Sequence, residues 1–462
     1  MSLSEKLKLK QNLDMTSGSI PRLLISFAAP LLIGNLFQQL YNMVDTWVLG
    51  NFATNEAFSA VGSVSNIIYL MISLAAGLGG GAGIVVSQYY GAKDDEGLSR
   101  ISHTAMFMTL FISIGTTIVG LALIDPMLEL MNMPASVAPD AKTYLFIIDC
   151  GLAGTMYFNM GAAILRAIGD SVRPFIYGAV CAVLNIFGDL LLVIRFDMGV
   201  AGVALATVIS QAVSAVLVII ALARSSTAVR LSMSRMHIHR GELVKTLKLG
   251  IPSALQMGII SFSNVFVQGY INYFGPDVMS GWTAYSKVDA LLLLPLQSLC
   301  MAVSTFSGQN IGIGNEERAR RGVRIGYYMC LIANAVPLIP VMIFAPQIVA
   351  FFNAKPEVVE YGSAFLRWIS PFYLLSCSCD IESSGLRGAG DVKWPVTITI
   401  FSYVVFRQIY LYLMANYISN TVLPIAMGYP AGWMVCAVLM FIHYRRVDMS
   451  RYAVTNRSSS LT

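Results

Sequence analysis

The chain has 462 residues, 56% of them apolar and only 12% charged, with a formal net charge of +5. A soluble protein of this length would carry about twice that share of charge, so a soluble globular class is excluded and a membrane protein is indicated. The small positive excess calls for no nucleic-acid partner, because it resolves into a topology signal.

In chain order, residues 1–22 are polar and basic and lack the hydrophobic core and cleavage site of a signal peptide. They read as a cytoplasmic N-terminal segment. Twelve apolar stretches follow, each able to supply the roughly 20 helical residues that cross ~30 Å of hydrocarbon. They are predicted at 23–49, 58–87, 103–124, 143–165, 174–195, 198–223, 248–273, 281–307, 322–346, 359–384, 394–416 and 420–444. The first six form an N-lobe over 23–223 and the last six a C-lobe over 248–444. Between them lies a basic, Ser-rich cytoplasmic linker at 224–247, and a cytoplasmic tail covers 445–462. The expected fold is an all-α polytopic membrane protein, with twelve transmembrane helices in two parallel, pseudo-symmetric six-helix lobes.

The two lobes follow from an internal repeat. Leu165-Arg166-Ala167-Ile168-Gly169-Asp170, with Pro174 beyond it, returns about 221 residues later as Leu386-Arg387-Gly388-Ala389-Gly390-Asp391, with Pro395 beyond it. The same offset carries Gln88 and Gly91 onto Gln309 and Gly312, and Asn132 onto Asn353; Pro30 falls on Pro252 with a slip of one. Such an echo marks two copies of one structural unit. Six crossings return the chain to its starting side, so both copies enter the membrane in the same direction. Of the 30 Lys and Arg residues, 24 fall on the side of the N-terminus. Three lie on the other side (Lys142, Arg195, Lys355) and three inside spans (Lys287, Arg367, Arg407). That imbalance predicts a multi-pass protein of the inner (cytoplasmic) membrane with both termini in the cytoplasm.

Motifs of soluble chemistry are weak. The seven cysteines all fall inside spans, and the four histidines offer no zinc-like spacing. The run Gly77-Leu78-Gly79-Gly80-Gly81-Ala82-Gly83 looks like a phosphate loop but lacks Lys-Ser/Thr and sits within a span, so close helix packing is the better reading. Without a nucleophile–base pair or a metal cluster, an intramembrane enzyme is not expected.

Polar residues inside the membrane carry the functional signal, since an ionisable group there costs roughly 2.5–3.5 kcal/mol on insertion scales. Asp45 in span 1 and Asp189 in span 5 both fall about 7–10 Å below the outer boundary, at ~1.5 Å per residue. Asn185 lies one turn deeper than Asp189 on the same face, and Thr207 of span 6 reaches a comparable depth. The repeat acts as a control: the matching positions are Phe266 or Val267, Phe406, Tyr410 and Gly428, none of them acidic. A carboxylate demanded by the fold alone would tend to occur in both copies. Two neighbouring carboxylates can share a proton, and the same oxygen-bearing set suits a hard cation such as Na⁺. H⁺ or Na⁺ is therefore the expected coupling ion, with no other metal and no organic cofactor. Gln38, Tyr41, Asn42, Asn159, Lys287, Asp289 and Arg407 are the candidate lining of a substrate cavity, while Asp149 reads as snorkelling outward from span 4. Pro30, Pro252 and Pro295 mark expected kinks.

The run from Pro30 through Gln38-Gln39-Leu40-Tyr41-Asn42-Met43-Val44-Asp45-Thr46 resembles span 1 of the multidrug and toxic compound extrusion (MATE) family. So do Ser87-Gln88-Tyr89-Tyr90-Gly91-Ala92, its echo Gly308-Gln309-Asn310-Ile311-Gly312, and the paired Leu-Arg loop motifs; the resemblance covers residues 16–445. It implies a V-shaped, two-lobe antiporter that expels amphipathic, often cationic organic compounds in exchange for H⁺ or Na⁺. In the prokaryotic DinF-like branch, the first-lobe acids match Asp45 and Asp189, and their polar companions match Asn185 and Thr207. Other branches carry an acidic residue in span 7, where Gly250 to Ile260 has none. The expected partners are small amphipathic substrates and membrane lipids, and the chain is expected to work as a monomer. The alternative is a flippase for a lipid-linked saccharide, whose diphosphate would favour several basic residues in the cavity.

Overall fold

A computed structural model describes residues 13–131 and 133–453. Asn132 and the outer parts of the two expected cytoplasmic ends, 1–12 and 454–462, lie outside the described residues. Twelve crossings follow in order: α1 (Ile20–Phe52), α2 (Asn55–Ala92), α3 (Asp95–Leu130), α4 (Ala138–Ala167), α5 (Val172–Arg195) and α6 (Gly199–Ala223) come first. Then come α7 (Arg240–Asn272), α8 (Pro276–Gly312), α9 (Glu316–Ile343), α10 (Pro356–Ile369 with Tyr373–Ala389), α11 (Lys393–Ile418) and α12 (Val422–Arg446).

Eleven of these are continuous enough to span by themselves. The tenth is interrupted by a tight turn at Ser370–Phe372, because Pro371 has no N–H to give and its ring crowds the preceding turn. Helix α8 breaks at Leu293, just ahead of Pro295, where a kink was expected. Pro30 and Pro252 sit inside continuous helices.

The repeated Leu-Arg motif is a helix stop followed by a helix start. Gly169 (φ +87°) and Gly390 (φ +102°) turn the chain through the left-handed region that glycine tolerates. Asp170 Oδ1 then accepts the N–H groups of Val172 and Arg173, each at 3.1 Å, and Asp391 Oδ1 accepts that of Trp394 at 3.4 Å. A second pair of caps recurs at the same offset: Asp94 takes the N–H of Gly97 at 2.8 Å, and Asn315 that of Arg318 at 3.0 Å. Helix neighbours repeat as well, since α2–α4, α3–α4 and α4–α6 contacts return as α8–α10, α9–α10 and α10–α12.

The chain forms two compact units; two of their seams fall inside helices, one lies between Asp14 and Met15, and none falls in the linker. One holds the described residues up to Asp14 with Ile33–Leu255; the other holds Met15–Leu32 with everything from Gln256 onward. These units are groupings by contact, distinct from the repeat lobes expected at 23–223 and 248–444. In the first unit, the start of α7 is held by backbone contact with the glycine run of α2. A methyl added at Gly77 would come within 2.5 Å of Ala254, and one at Gly81 within 2.5 Å of the Gly250 nitrogen. Such small-residue crossings let helix backbones meet where lipid offers no hydrophobic drive. About two turns nearer the helix start, Tyr89 donates to Glu242 at 2.9 Å, and Lys245 reaches the Tyr89 hydroxyl at 2.5 Å. In the second unit, Gln309 Oε1 accepts the Met15 N–H at 2.9 Å and Asn310 donates to the Met15 carbonyl at 3.1 Å.

The linker is docked rather than loose. The Ser232 N–H donates to His103 Nε2 at 3.0 Å, and the His239 N–H donates to Thr104 Oγ1 at 3.1 Å. On α9, Ile332, Val336, Ile339 and Ile343 make an exposed apolar stripe at helical spacing, as a lipid-facing surface requires.

Replacing Gly81 with Val should destabilise the purified protein by about 2 kcal/mol or more, since the intruding methyls meet backbone that cannot yield. Gly80→Ala is the control, because nothing lies within 4 Å of the added methyl. Thermal unfolding in detergent should separate the two, and equal melting temperatures would refute the α2–α7 contact as a structural clamp.

Candidate functional site

The polar cluster of the first unit is built by α1, α4, α5 and α6 in the half of the membrane remote from the N-terminus. Asp45 of α1 and Asp189 of α5 lie side by side, within hydrogen-bonding reach of each other. Asp189 is fully buried and Asp45 partly so. Neither oxygen of Asp189, nor Oδ1 of Asp45, accepts a hydrogen bond from any described donor. Two carboxylates have acceptors only, so the contact is chemically incomplete until a proton or a cation sits between the oxygens.

Asn185 stands one turn back on α5, and its Nδ2 donates to Thr207 Oγ1 of α6 at 3.4 Å. Close approach of the two helices allows this: a methyl added at Gly188 would come within 2.8 Å of the Ala206 Cβ. Directly after Asp189 the helix widens into a π-turn at Leu190–Arg195. The second copy widens at Met414–Ile418, close to the repeat-matched place. The distortion therefore belongs to the fold, while the acidic residues belong to the first copy alone.

Tyr144 of α4 also faces Asp45, Asp189 and Tyr41, and it was not anticipated. A polar hydroxyl near the same end of span 4 was its sequence signal, but only helix packing shows that it points at the acids. Tyr41 is hydrogen-bonded to Gln38, one turn earlier on α1.

The remaining candidates fall in both units. Asn42 is exposed on α1, and Asn159 donates to the Thr155 carbonyl of its own helix at 2.9 Å. Gln38, Tyr41, Asn42 and Asn159 belong to the first unit, whereas Asp289 and Arg407 line a cavity of about 470 Å³ inside the second. Lys287 is exposed and does not line that cavity. Its separation of two residues from Asp289 turns it to another side of α8. Asp149 does not snorkel: it is fully buried, with both oxygens free of described donors and a close neighbour in Gly120. Asp380, which the sequence reading passed over, and Arg387, which it read only as part of the repeat motif, also line the second-unit cavity.

The MatE family model matches residues 30–191 and 252–413, one match per copy of the repeat. The chain belongs to the MatE family, the multidrug and toxic compound extrusion proteins. It is 28% identical over 433 residues to YpnP of Bacillus subtilis, a probable multidrug resistance protein, covering 94% of this chain and 97% of that one. It is 24% identical over 445 residues to NorM of Thermotoga maritima, likewise a probable multidrug resistance protein, covering 94% of each. A solved structure described as the outward-facing conformation of a multidrug resistance MATE family transporter shares the fold. Its TM-score is 0.89 at 24% identity, over 97% of this chain and 99% of that one. This MatE chain is thus a multi-pass membrane protein of a transporter family.

Asp45→Asn supplies the donor that the two carboxylates lack, at unchanged shape. In Na⁺-free buffer the variant is expected to melt no lower than wild type. A clear drop in melting temperature would show that the pair is held by other means than a shared proton or cation.

Proposed function

We propose that this MatE chain is a secondary antiporter, exporting amphipathic and mainly cationic organic compounds in exchange for H⁺ or Na⁺. The coupling ion binds at Asp45 and Asp189, with Asn185 and Thr207 as neutral oxygen-bearing companions. The observation that carries the reading is the buried carboxylate pair without a donor, present in one copy of the repeat and absent from the other. Such a pair is completed by one small cation, and the membrane potential draws that cation inward with ~2.3 kcal/mol per charge per 100 mV. Exchange follows if ion and substrate favour different arrangements of the two units, each opening to one side in turn. In this reading the protein sits in the cytoplasmic membrane with both termini inside, works as a monomer, and needs no cofactor beyond the ion.

A flippase for a lipid-linked saccharide is the second reading, and Arg387 and Arg407 in the second-unit cavity are the observation in its favour. Arg387 interacts electrostatically with Asp380, which leaves one uncompensated cation, fewer than a diphosphate would recruit.

Proteoliposomes carrying cationic dyes and an imposed H⁺ or Na⁺ gradient test the proposal. Gradient-driven efflux by Asp45→Asn should fall to the level of protein-free liposomes while folding survives; undiminished efflux would exclude Asp45 as the coupling group.

A second comparison uses the repeat. Asp189→Asn should lose coupling, whereas Tyr410→Phe, which removes a 3.0 Å hydrogen bond to the Pro424 carbonyl at the matching position, should keep it. Equal losses at the two positions would contradict an ion site confined to the first unit.

A further inference from the structure

The junction of α7 with α11 is the repeat counterpart of the α1–α5 junction that joins Asp45 and Asp189. Where the first copy places two acids, the second places a guanidinium. Arg407 is 3% exposed, and its Nη2 donates to Ser263 Oγ at 2.9 Å and to Asn264 Oδ1 at 2.7 Å. Both acceptors are neutral. The Arg407 Nε–H meets no described acceptor, and no described carboxylate forms an ion pair with this residue. A buried charge without a counter-ion is unfavourable unless something else supplies the opposite sign.

Arg407 lines the cavity of about 470 Å³ in the second unit, a volume suited to a small organic ligand. The two carboxylates on that cavity are otherwise engaged. Asp289 Oδ1 accepts the hydroxyl of Tyr373, and that of Tyr285 at 3.5 Å. Asp380 interacts with Arg387. Next to Asp289 runs an aromatic wall in which Trp282 lies 4.9 Å from Tyr285 and 5.7 Å from Tyr429, with Trp433 6.1 Å beyond Tyr429. The guanidinium itself stacks 4.7 Å over the Tyr429 ring. A wall of tilted aromatic rings beside a planar guanidinium that has no counter-ion suits an aromatic acid.

We infer that the second unit carries its own ligand site, for a planar aromatic organic acid whose carboxylate pairs with Arg407 and whose ring packs on Trp282 and Tyr429. This site is independent of the Asp45–Asp189 pair and stands whether or not that pair couples transport. It extends the range of compounds the protein can hold from cations to aromatic anions.

The test is calorimetric titration of the full-length protein in lipid nanodiscs with 2-naphthoate, and with 2-naphthamide as its uncharged analogue. Wild type should bind naphthoate saturably and more tightly than the amide. Arg407→Gln keeps a hydrogen-bonding group toward Ser263 and Asn264 but removes the charge, so naphthoate should weaken about tenfold or more while naphthamide is unchanged. Gly80→Ala, whose added methyl meets nothing within 4 Å, should leave both affinities as in wild type. Absence of naphthoate binding to wild type, equal affinity for acid and amide, or unaltered naphthoate binding by a folded Arg407→Gln variant would each overturn the inference. Should Arg407→Gln fail to fold, Arg407→Lys, which retains the charge without the planar donors, takes its place. An intermediate loss for naphthoate alone is then expected, and an equal loss for both probes would refute the site.

Discussion

A backbone amide left unpaired in hydrocarbon costs several kcal/mol, so a chain that crosses ~30 Å of lipid does so with its hydrogen bonds closed within each segment. That constraint produces the twelve helices and also makes their departures from regularity informative. The π-turn at Leu190–Arg195 begins immediately after Asp189, and another at Phe401–Phe406 ends immediately before Arg407. Backbone distortion and buried charge coincide in both copies. Distorted turns of this kind are tolerated where they re-aim side chains, which is why they gather at sites rather than at random.

Lipid is as apolar as leucine, so apolar side chains alone do not hold these helices together. Small residues and buried polar contacts take over. Gly77 and Gly81 admit the backbone of α7 at Gly250 and Ala254, and the Tyr89–Glu242–Lys245 cluster holds the start of the same helix. Gln309 and Asn310 grip the backbone of Met15 in the other unit. The first set binds the start of α7 into the first unit, and the second binds the segment just ahead of α1 into the second unit. The seams therefore lie at Leu32 and Leu255, within helices, although the linker has the composition of a boundary.

Comparing the copies separates scaffold from chemistry. Caps at Asp170 and Asp391, left-handed glycines at 169 and 390, paired helix neighbours and the widened turns all recur, as they must if they serve the shared fold. The buried charges at the α1–α5 and α7–α11 junctions do not recur. Asp45 and Asp189 occupy the α1–α5 junction of the first copy, and Arg407 occupies the α7–α11 junction of the second. The two copies share one scaffold but carry different buried charges at these corresponding junctions, at positions the repeat does not match.

The sequence by itself determined the membrane class, the count of twelve crossings and the two-copy architecture, because hydropathy and repeat spacing are properties of the chain taken one residue after another. It also singled out Asp45, Asn185, Asp189 and Thr207, since depth along a helix follows from residue number at a fixed rise. What lay beyond it was everything that depends on which way a helix is rotated and what stands next to it. Only the tertiary structure turned Tyr144 toward the acids, buried Asp149 instead of letting it snorkel, and left Lys287 outside the cavity that Asp289 and Arg407 line. It alone broke the tenth span at Pro371 and moved the unit seams into α1 and α7. The physical reason is the same each time: depth is local, whereas azimuth and neighbour are set by contacts between residues far apart in the chain.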